Sequence, residues 1–357
     1  MRAVVLSDLH LGTVTRRDLL RRAEPRAALL ERVAGADHVV LLGDVLELRE
    51  LPLPAVLHEA EPFFRELGEA AGDARITIVP GNHDHRLSWP LTDGRSDPLP
   101  ISASTTAPAT EPFALIAEWL GNGPDLAYPG VWLRPDVYAT HGHYLDCHLE
   151  LPTFERLAIA ATARVVRAEP GDGIRSPSEH EAAVAPLYSL AYSLAQASRR
   201  GALFGGGRTV STWERLAGED GRRVGARLVA GLVLPATVGV LNRTGFGPLK
   251  ADLSGPSLRR SGLRAMATVA GALGLHEAHV LFGHTHRSGP WPGDDAAEWE
   301  LAGGGRLVNT GSWVHEPAFV RTRGRASPYW PGVIAVVEDE GPPRLERLLD
   351  ELPATGT

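Results

Sequence analysis

Six short motifs in this 357-residue chain carry the side chains that bind hard and borderline metal ions. They are Asp8-Leu9-His10, Gly43-Asp44, Gly81-Asn82-His83-Asp84, His141-Gly142-His143 and Gly283-His284-Thr285-His286, with Asn309-Thr310-Gly311-Ser312 trailing. Carboxylates, an amide oxygen and imidazoles gathered in one place suit a pair of divalent cations. Two such ions clamp a phosphate and activate the water that attacks it. Singly each motif is weak, because Asp-x-His and His-x-His arise often by chance. Their joint order carries the chemistry.

Each motif follows an apolar, β-branched run. The runs at 3–6, 38–42, 76–79, 131–139, 279–282, 306–309 and 333–337 read as strands, since buried strands are short and end at Gly, Asp or Asn. Several strands then deliver their C-terminal ends to one rim. Residues 25–34 and 55–71 have helical spacing with Pro near their starts. This alternation predicts α/β layering with right-handed crossovers. The stretch 93–112 is rich in Ser, Thr, Pro and Ala and reads as a loop.

Residues 151–276 differ. Leu187, Leu190, Ala191 and Leu194 follow helical spacing, as do Leu263, Met266, Ala267 and Ala270, and no comparable strand signal interrupts them. The block carries 16 Lys and Arg against 9 Asp and Glu, which leaves 20 against 34 elsewhere. It either faces something anionic or presents a solvated, arginine-rich surface. Within it, apolar Leu228–Leu241 is interrupted by Pro235 and flanked by Arg222, Arg223, Arg227 and Arg243. That stretch is shorter than the roughly 20 residues of a membrane span. It suits a membrane interface, an acyl-chain groove or the core of a helical cap.

Composition sets wider bounds. At 43% hydrophobic the chain can bury a large core, and a formal charge of -7 is ordinary. Lys250 is the one lysine among 36 basic residues, a bias that reads as genomic rather than functional. A single cysteine, Cys147, excludes an intrachain disulfide and fits a reducing compartment. A strand-like run already at Ala3 argues against a cleaved leader. The expectation is a cytoplasmic protein, with peripheral membrane contact through residues 222–243 as an option.

In this order the motifs closely resemble the signature of the calcineurin-like metallophosphoesterases. The resemblance covers residues 1–150 and 276–340 and leaves out the helical block. It implies a four-layer α/β/β/α sandwich with the site on the rim of two sheets. The core would be 1–150 and 276–345, with a helical insertion or cap at 151–275 and a tail at 346–357. It also implies that Asp8, His10, Asp44 and His286 hold one metal, and that Asp44, Asn82, His141 and His284 hold the other. A bridging carboxylate such as Asp44 keeps two cations about 3.5–4 Å apart despite their repulsion. Imidazole ligands suit Mn, Fe, Zn or Co; the family points to manganese, with mixed iron and zinc as the other choice.

The resemblance gives His83 a different role, facing the phosphate or the leaving oxygen, with Asp84 to orient it. Glu47 and Asp146 either steady ligands from behind or are ordinary surface carboxylates. His143 is placed to touch metal or substrate, and Arg86 is a further substrate contact. Asn309 to Trp313 resembles the family's closing turn, where Gly311 permits close backbone approach. The implied reaction is in-line attack on phosphorus by a metal-bridging hydroxide, without a covalent intermediate.

For the substrate, the nearest functional analogy is with UDP-2,3-diacylglucosamine pyrophosphohydrolases, which also place a helical insertion over the metals. This chain departs from them in having His83 where they have Arg after the Asn, and in a longer insertion. Three readings follow. One is a hydrolase of a phosphorylated small molecule, nucleotide-containing or lipid-linked. Another is a nuclease-like phosphodiesterase whose basic block grips nucleic acid, against which stands the lack of a recognisable nucleic-acid module. The third is a non-catalytic interaction scaffold, against which stands the complete ligand set.

Overall fold

The structure, a computed structural model, describes residues 1–106, 110–150, 156–159, 173–197, 255–320 and 323–350. Period-two alternation in its first strands sets the architecture. In β1 (Ala3–Leu6) and β2 (His38–Leu42), Val4, Leu6, Val39 and Leu41 enter one apolar cluster, while Ala3, Val5, Val40 and Leu42 enter another. Strands buried on both faces read as continuous apolar runs, and these do.

A seven-stranded sheet contains β1, β2, β3 (Arg75–Val79), β4 (Ala103–Thr106), β5 (Asp125–Tyr128), β11 (Val333–Val337) and β12 (Arg344–Arg347), in the order β12-β11-β1-β2-β3-β5-β4. A five-stranded sheet contains β6 (Gly130–Arg134), β7 (Val137–Thr140), β8 (His279–Phe282), β9 (Ser288–Gly289) and β10 (Leu307–Thr310), in the order β6-β7-β8-β10-β9. Ala3, Val5, Val40 and Leu42 of the first pack with Val131, Val137, Ala139 and Leu281 of the second, so the two sheets face each other. The helices α1 (Ala23–Val33), α2 (Leu53–Ala71) and α4 (Glu111–Leu120) cover the outer face of the larger sheet; a short α3 spans Trp89–Thr92. In α2 the buried Val56, Ala60, Phe63, Phe64, Leu67 and Ala71 trace one helical stripe. The chain is therefore a mixed α/β sandwich.

Strand direction matters most for the site. β1, β2 and β3 are parallel neighbours, as are β7, β8 and β10. Their C-terminal ends carry Asp8, Asp44, Asn82, His141, His284 and Asn309.

Two expectations about strands need correction. Residues 131–139 form a hairpin, β6 and β7, because Pro135-Asp136 turns the chain and the pairing shifts between Trp132 and Arg134. The stretch 93–112 is not loop throughout: Ala103–Thr106 pairs antiparallel with β5 at the sheet edge. An edge strand needs few apolar residues, and its Thr side chains are β-branched. The larger sheet ends with β12, Arg344–Arg347, antiparallel to β11.

The chain forms two compact units. One comprises Met1–His143, Tyr188–Leu203 and Leu275–Thr357 and contains both sheets; the other comprises Tyr144–Leu187 and Phe204–Gly274. In the second, the helix Gly255–Ala272 buries Leu263, Met266, Val269 and Ala270, and Ser261 Oγ receives the Glu150 amide at 3.3 Å. The helix Pro177–Ala197 begins in the second unit and ends in the first. Its buried line is Val184, Leu187, Tyr188, Ala191 and Ala195, whereas Leu190, expected on that face, is exposed. Leu228–Leu241 and Arg222, Arg223, Arg227 and Arg243 lie outside the described residues. No helix among the described residues is long and apolar enough to cross a membrane.

Candidate metal centre

The loops after the strands are tied to one another before any side chain is considered. The amides of Asp8 and His10 donate to the carbonyls of Gly43 and Asp44, at 3.0 and 2.8 Å, extending the β1–β2 pairing beyond the strands. The Gly283 amide donates to the His141 carbonyl at 2.9 Å, which does the same for β8 and β7. Both Asp8 carboxylate oxygens accept from the His284 amide, at 3.1 and 3.0 Å, and join the two sheets. A Cβ at Gly43 would run into the His141 ring, and one at Gly283 into the Asp8 carboxylate. Glycine is what lets these motifs approach so closely.

Six described non-glycine residues hold left-handed backbone, and five are Asp8 (φ 56°), His10 (46°), Asp44 (50°), His284 (66°) and His286 (57°). Each such residue costs roughly 1 kcal/mol or more and persists only where its surroundings over-determine it. The strain is concentrated on the residues expected to hold metal.

Their side chains converge. Asp8, His10 and His286 form one group of close ligand atoms, and Asp44, His141 and His284 form another. The Asp44 Oδ2 atom stands between them, 3.6 Å from His10 Nε2 and 3.3 Å from His141 Nε2. Asn82 Oδ1 joins the second group, 3.2 Å from His141 Nε2 and 3.1 Å from His284 Nδ1. A third group, His10, Asp44 and His83, shares two members with these.

The donor set fits divalent cations. His10 Nδ1 pairs with Glu47 Oε2 at 2.8 Å, and His141 Nδ1 with the Leu42 carbonyl at 3.2 Å. Each partner is an acceptor, so it fixes the tautomer and aims the Nε2 lone pair inward. His10 Nε2 and His286 Nε2 then face each other at 3.2 Å. Lone pairs gathered around one point need a positive charge at it.

Charge tells the same story. Burial alone would depress the His10 and His141 imidazoles. For His10, the Glu47 hydrogen bond and the charges of Asp44, Glu47 and Asp8 outweigh it and raise the pKa to about 10. For His141, the Asp44 charge and hydrogen bond lead, and the value rises to about 9. Against its own burial, Asp44 is held well below the usual carboxylate range by His141 and His83. Without metal, protons supply the positive charge that the carboxylates demand; a bound cation would displace them.

The remaining predicted residues fall into place differently. His83 Nδ1 is held by Glu47, at 2.8 and 2.7 Å from the two carboxylate oxygens. The expected Asp84–His83 pair does not form. Asp84 is fully buried and accepts from the backbone amides of Val45 (2.7 Å), Leu46 (3.3 Å) and Gly81 (2.6 Å). It fastens the Asp44 loop to the Asn82 loop, so a carboxylate adjacent in sequence serves the backbone while Glu47 serves the imidazole. Burial, then the Asp44 charge, raises the Asp84 pKa to about 6.

His143 lies in an aromatic wall, its Nε2 3.0 Å from the Tyr128 hydroxyl, with the rings of His85 and Tyr188 beside it. Burial, then the charges of His141, His85 and His284, push it well below its ordinary value. Arg86 stacks over Trp89, 3.1 Å from the ring centroid, and lies 5.9 Å from the Tyr192 ring. Asp146 is buried in the second unit. In the closing turn, Asn309 Nδ2 donates to Gly283 O (3.1 Å) and Thr285 Oγ1 (2.8 Å), and the Trp313 amide donates to Asp8 O (3.0 Å). That turn positions the ligand loops. His85 and Arg49, both buried beside these motifs, were not singled out by the sequence; only their closeness to Gly-Asn-His-Asp and Gly-Asp signals them.

The family model for the calcineurin-like phosphoesterases matches residues 1–173, which include Asp8, His10, Asp44, Asn82 and His141. No curated protein matches the chain.

Proposed function

We infer, from the premise that this chain belongs through residues 1–173 to the calcineurin-like phosphoesterase family, that it cleaves a phosphoester or pyrophosphate bond using two divalent cations that share Asp44. The observation that carries this is the position of Asp44 Oδ2 between His10 Nε2 and His141 Nε2. Metal-dependent phosphoester hydrolysis is the family's activity; the dinuclear arrangement and the substrate are our reading.

Asp8, His10, Asp44 and His286 would hold one cation, and Asp44, Asn82, His141 and His284 the other. When bound, such a pair supplies Lewis acidity toward the phosphoryl oxygens and a nucleophile made from water. Manganese suits the mixed imidazole and oxygen donors, as do iron and zinc.

The protein's own groups do the rest. Asn82 contributes a neutral oxygen, which limits repulsion of an incoming phosphate. With Nδ1 taken by Glu47, Nε2 is the His83 nitrogen left to serve the leaving oxygen, and we assign it that role. Proton transfer from a positioned imidazole supplies about 10²–10⁴-fold. Glu47 orients His83 and His10 together, and Asp84 keeps the loops in register.

For the substrate we propose a phosphorylated small molecule or lipid-linked phosphate drawn by the basic block at 151–276. A manganese-supplemented hydrolysis screen tests this across monoesters, diesters, nucleotide-sugar pyrophosphates and oligonucleotides. Turnover of a monoester, diester or pyrophosphate is expected. Cleavage of oligonucleotides alone would replace the reading with a nuclease.

A further inference from the structure

Arg49 lies between two buried carboxylates in the sequence, Glu47 and Glu50; its backbone amide donates to Glu47 Oε1 at 3.1 Å, but its guanidinium pairs with neither. Glu47 is taken by His10 and His83. Glu50 accepts from the Thr13 hydroxyl at 2.8 Å and the Val14 amide at 2.9 Å. Arg49 is only 3% exposed, its Nε has no hydrogen-bond partner, and among the described residues no carboxylate pairs with the guanidinium. A buried guanidinium without a counter-charge is costly unless something anionic visits it. Its Cζ is 6.0 Å from the Tyr188 ring, and its Nη1 is next to the Asn82 amide.

That amide fits its surroundings in either of two orientations, because its oxygen and nitrogen are nearly alike in shape. With the oxygen inward, Asn82 Oδ1 faces His141 Nε2 and His284 Nδ1, as a metal ligand must. Its NH2 group is then turned to Arg49 Nη1, donor against donor. Turned round, the NH2 donates to His284 Nδ1 (3.1 Å), His141 Nε2 (3.2 Å) and Asp44 Oδ2 (3.2 Å), and the oxygen accepts from Arg49 Nη1 at 2.9 Å. The second orientation satisfies the metal-free protein. The first suits a cation and leaves Arg49 facing a donor.

We propose that Asn82 turns with metal occupancy, and that its inward turn releases Arg49 to bind an anionic phosphoryl oxygen of the substrate. Arg49 is then a phosphate anchor set only when the cation that Asn82 ligates is in place. The anchor rests on the phosphohydrolase reading of the same site. Its donors form a planar fork that matches phosphate oxygens, which a lysine does not reproduce.

Calorimetric titration of the full chain with inorganic phosphate, with and without manganese, tests it. Arg49→Met should weaken phosphate binding to the manganese-loaded protein by about tenfold or more, with phosphate binding to the metal-free protein unchanged. Manganese should bind the variant at least as tightly as the wild type, because the outward orientation of Asn82 has lost its partner. Arg49→Lys keeps the charge without the fork and should fall between; it also serves if the Met variant does not fold. Equal phosphate affinity in the loaded wild type and the folded variants overturns the anchor. So does parallel loss of manganese, which would make Arg49 a support for the metal loops. A wild type that binds no divalent metal would remove the underlying reading as well, and the two failures are told apart by the metal titration alone.

Discussion

Glu47 links two histidines from different motifs, accepting from His10 Nδ1 at 2.8 Å and from His83 Nδ1 at 2.7 Å. One buried carboxylate thereby aims a metal-ligand imidazole and the imidazole assigned to the leaving group. An amide in its place would present an NH2 to one of two N–H donors. Glu47→Gln should weaken manganese binding and lower kcat by about 10–100-fold each, the usual loss when a ligand's supporting partner is removed. Paired metal titrations and steady-state kinetics check this; unaltered values for both would show that Glu47 is a bystander.

His83 should matter more for turnover than for metal content. It shares a close group with His10 and Asp44, yet Glu47 already holds its Nδ1. For His83→Ala we expect kcat to fall about 10²-fold or more, with metal content close to wild type. Elemental analysis beside the kinetics decides the matter. Metal lost in step with activity would make His83 a ligand.

Asp84 ties three backbone amides together without solvent, and those amides belong to the loops of Asp44 and Asn82. In Asp84→Asn a donor group replaces one acceptor oxygen. The expected cost is about 2 kcal/mol of unfolding free energy, in the range for losing a hydrogen bond to a charged group, with lower metal affinity. Denaturant melts of the metal-free protein give the first quantity. A variant as stable as wild type would mean that the loops are held by other contacts.

His38 gives the fold an acid sensitivity away from the metal centre. Burial, then the nearby Arg75 charge, lowers its pKa from 6.5 to about 4, and its Nε2 bonds Thr77 Oγ1 at 2.8 Å. Between those two values the unfolded chain binds the extra proton and the folded chain does not. Stability is therefore complete above about pH 6.5 and declines as pH falls toward 4. Removing this titration in His38→Gln should flatten the decline. Unfolding midpoints at several pH values across that window, compared between the two proteins, test it; identical slopes would exclude His38 as the source.

The site was more legible than the frame around it. Ligand motifs stand out because they follow buried runs, so β1, β2 and β8 appear in the sequence as nearly continuous apolar stretches just before Asp8, Asp44 and His284. The edge strand Ala103–Thr106 has one buried residue, Ala103, and β12 has none, so neither shows such a run. Leu190 illustrates a second limit: helical spacing predicted the helix correctly but could not choose between adjacent faces. Glu47 and Asp84 show a third, since each lies within a few residues of His83 or Asp44 and only the fold decides which carboxylate serves the imidazole. Nothing in the spacing marked Arg49, whose significance comes from what fails to pair with it.

The central claim is that two cations share Asp44, and metal stoichiometry tests it most directly. Protein purified without chelator and titrated with manganese should hold two ions per chain. Asp44→Asn should lose both ions, or retain one with nearly all hydrolysis gone, because its Oδ2 lies against His10 and His141 alike. A single ion in the wild type, or a fully active Asp44→Asn protein with its metal content unchanged, would contradict the account.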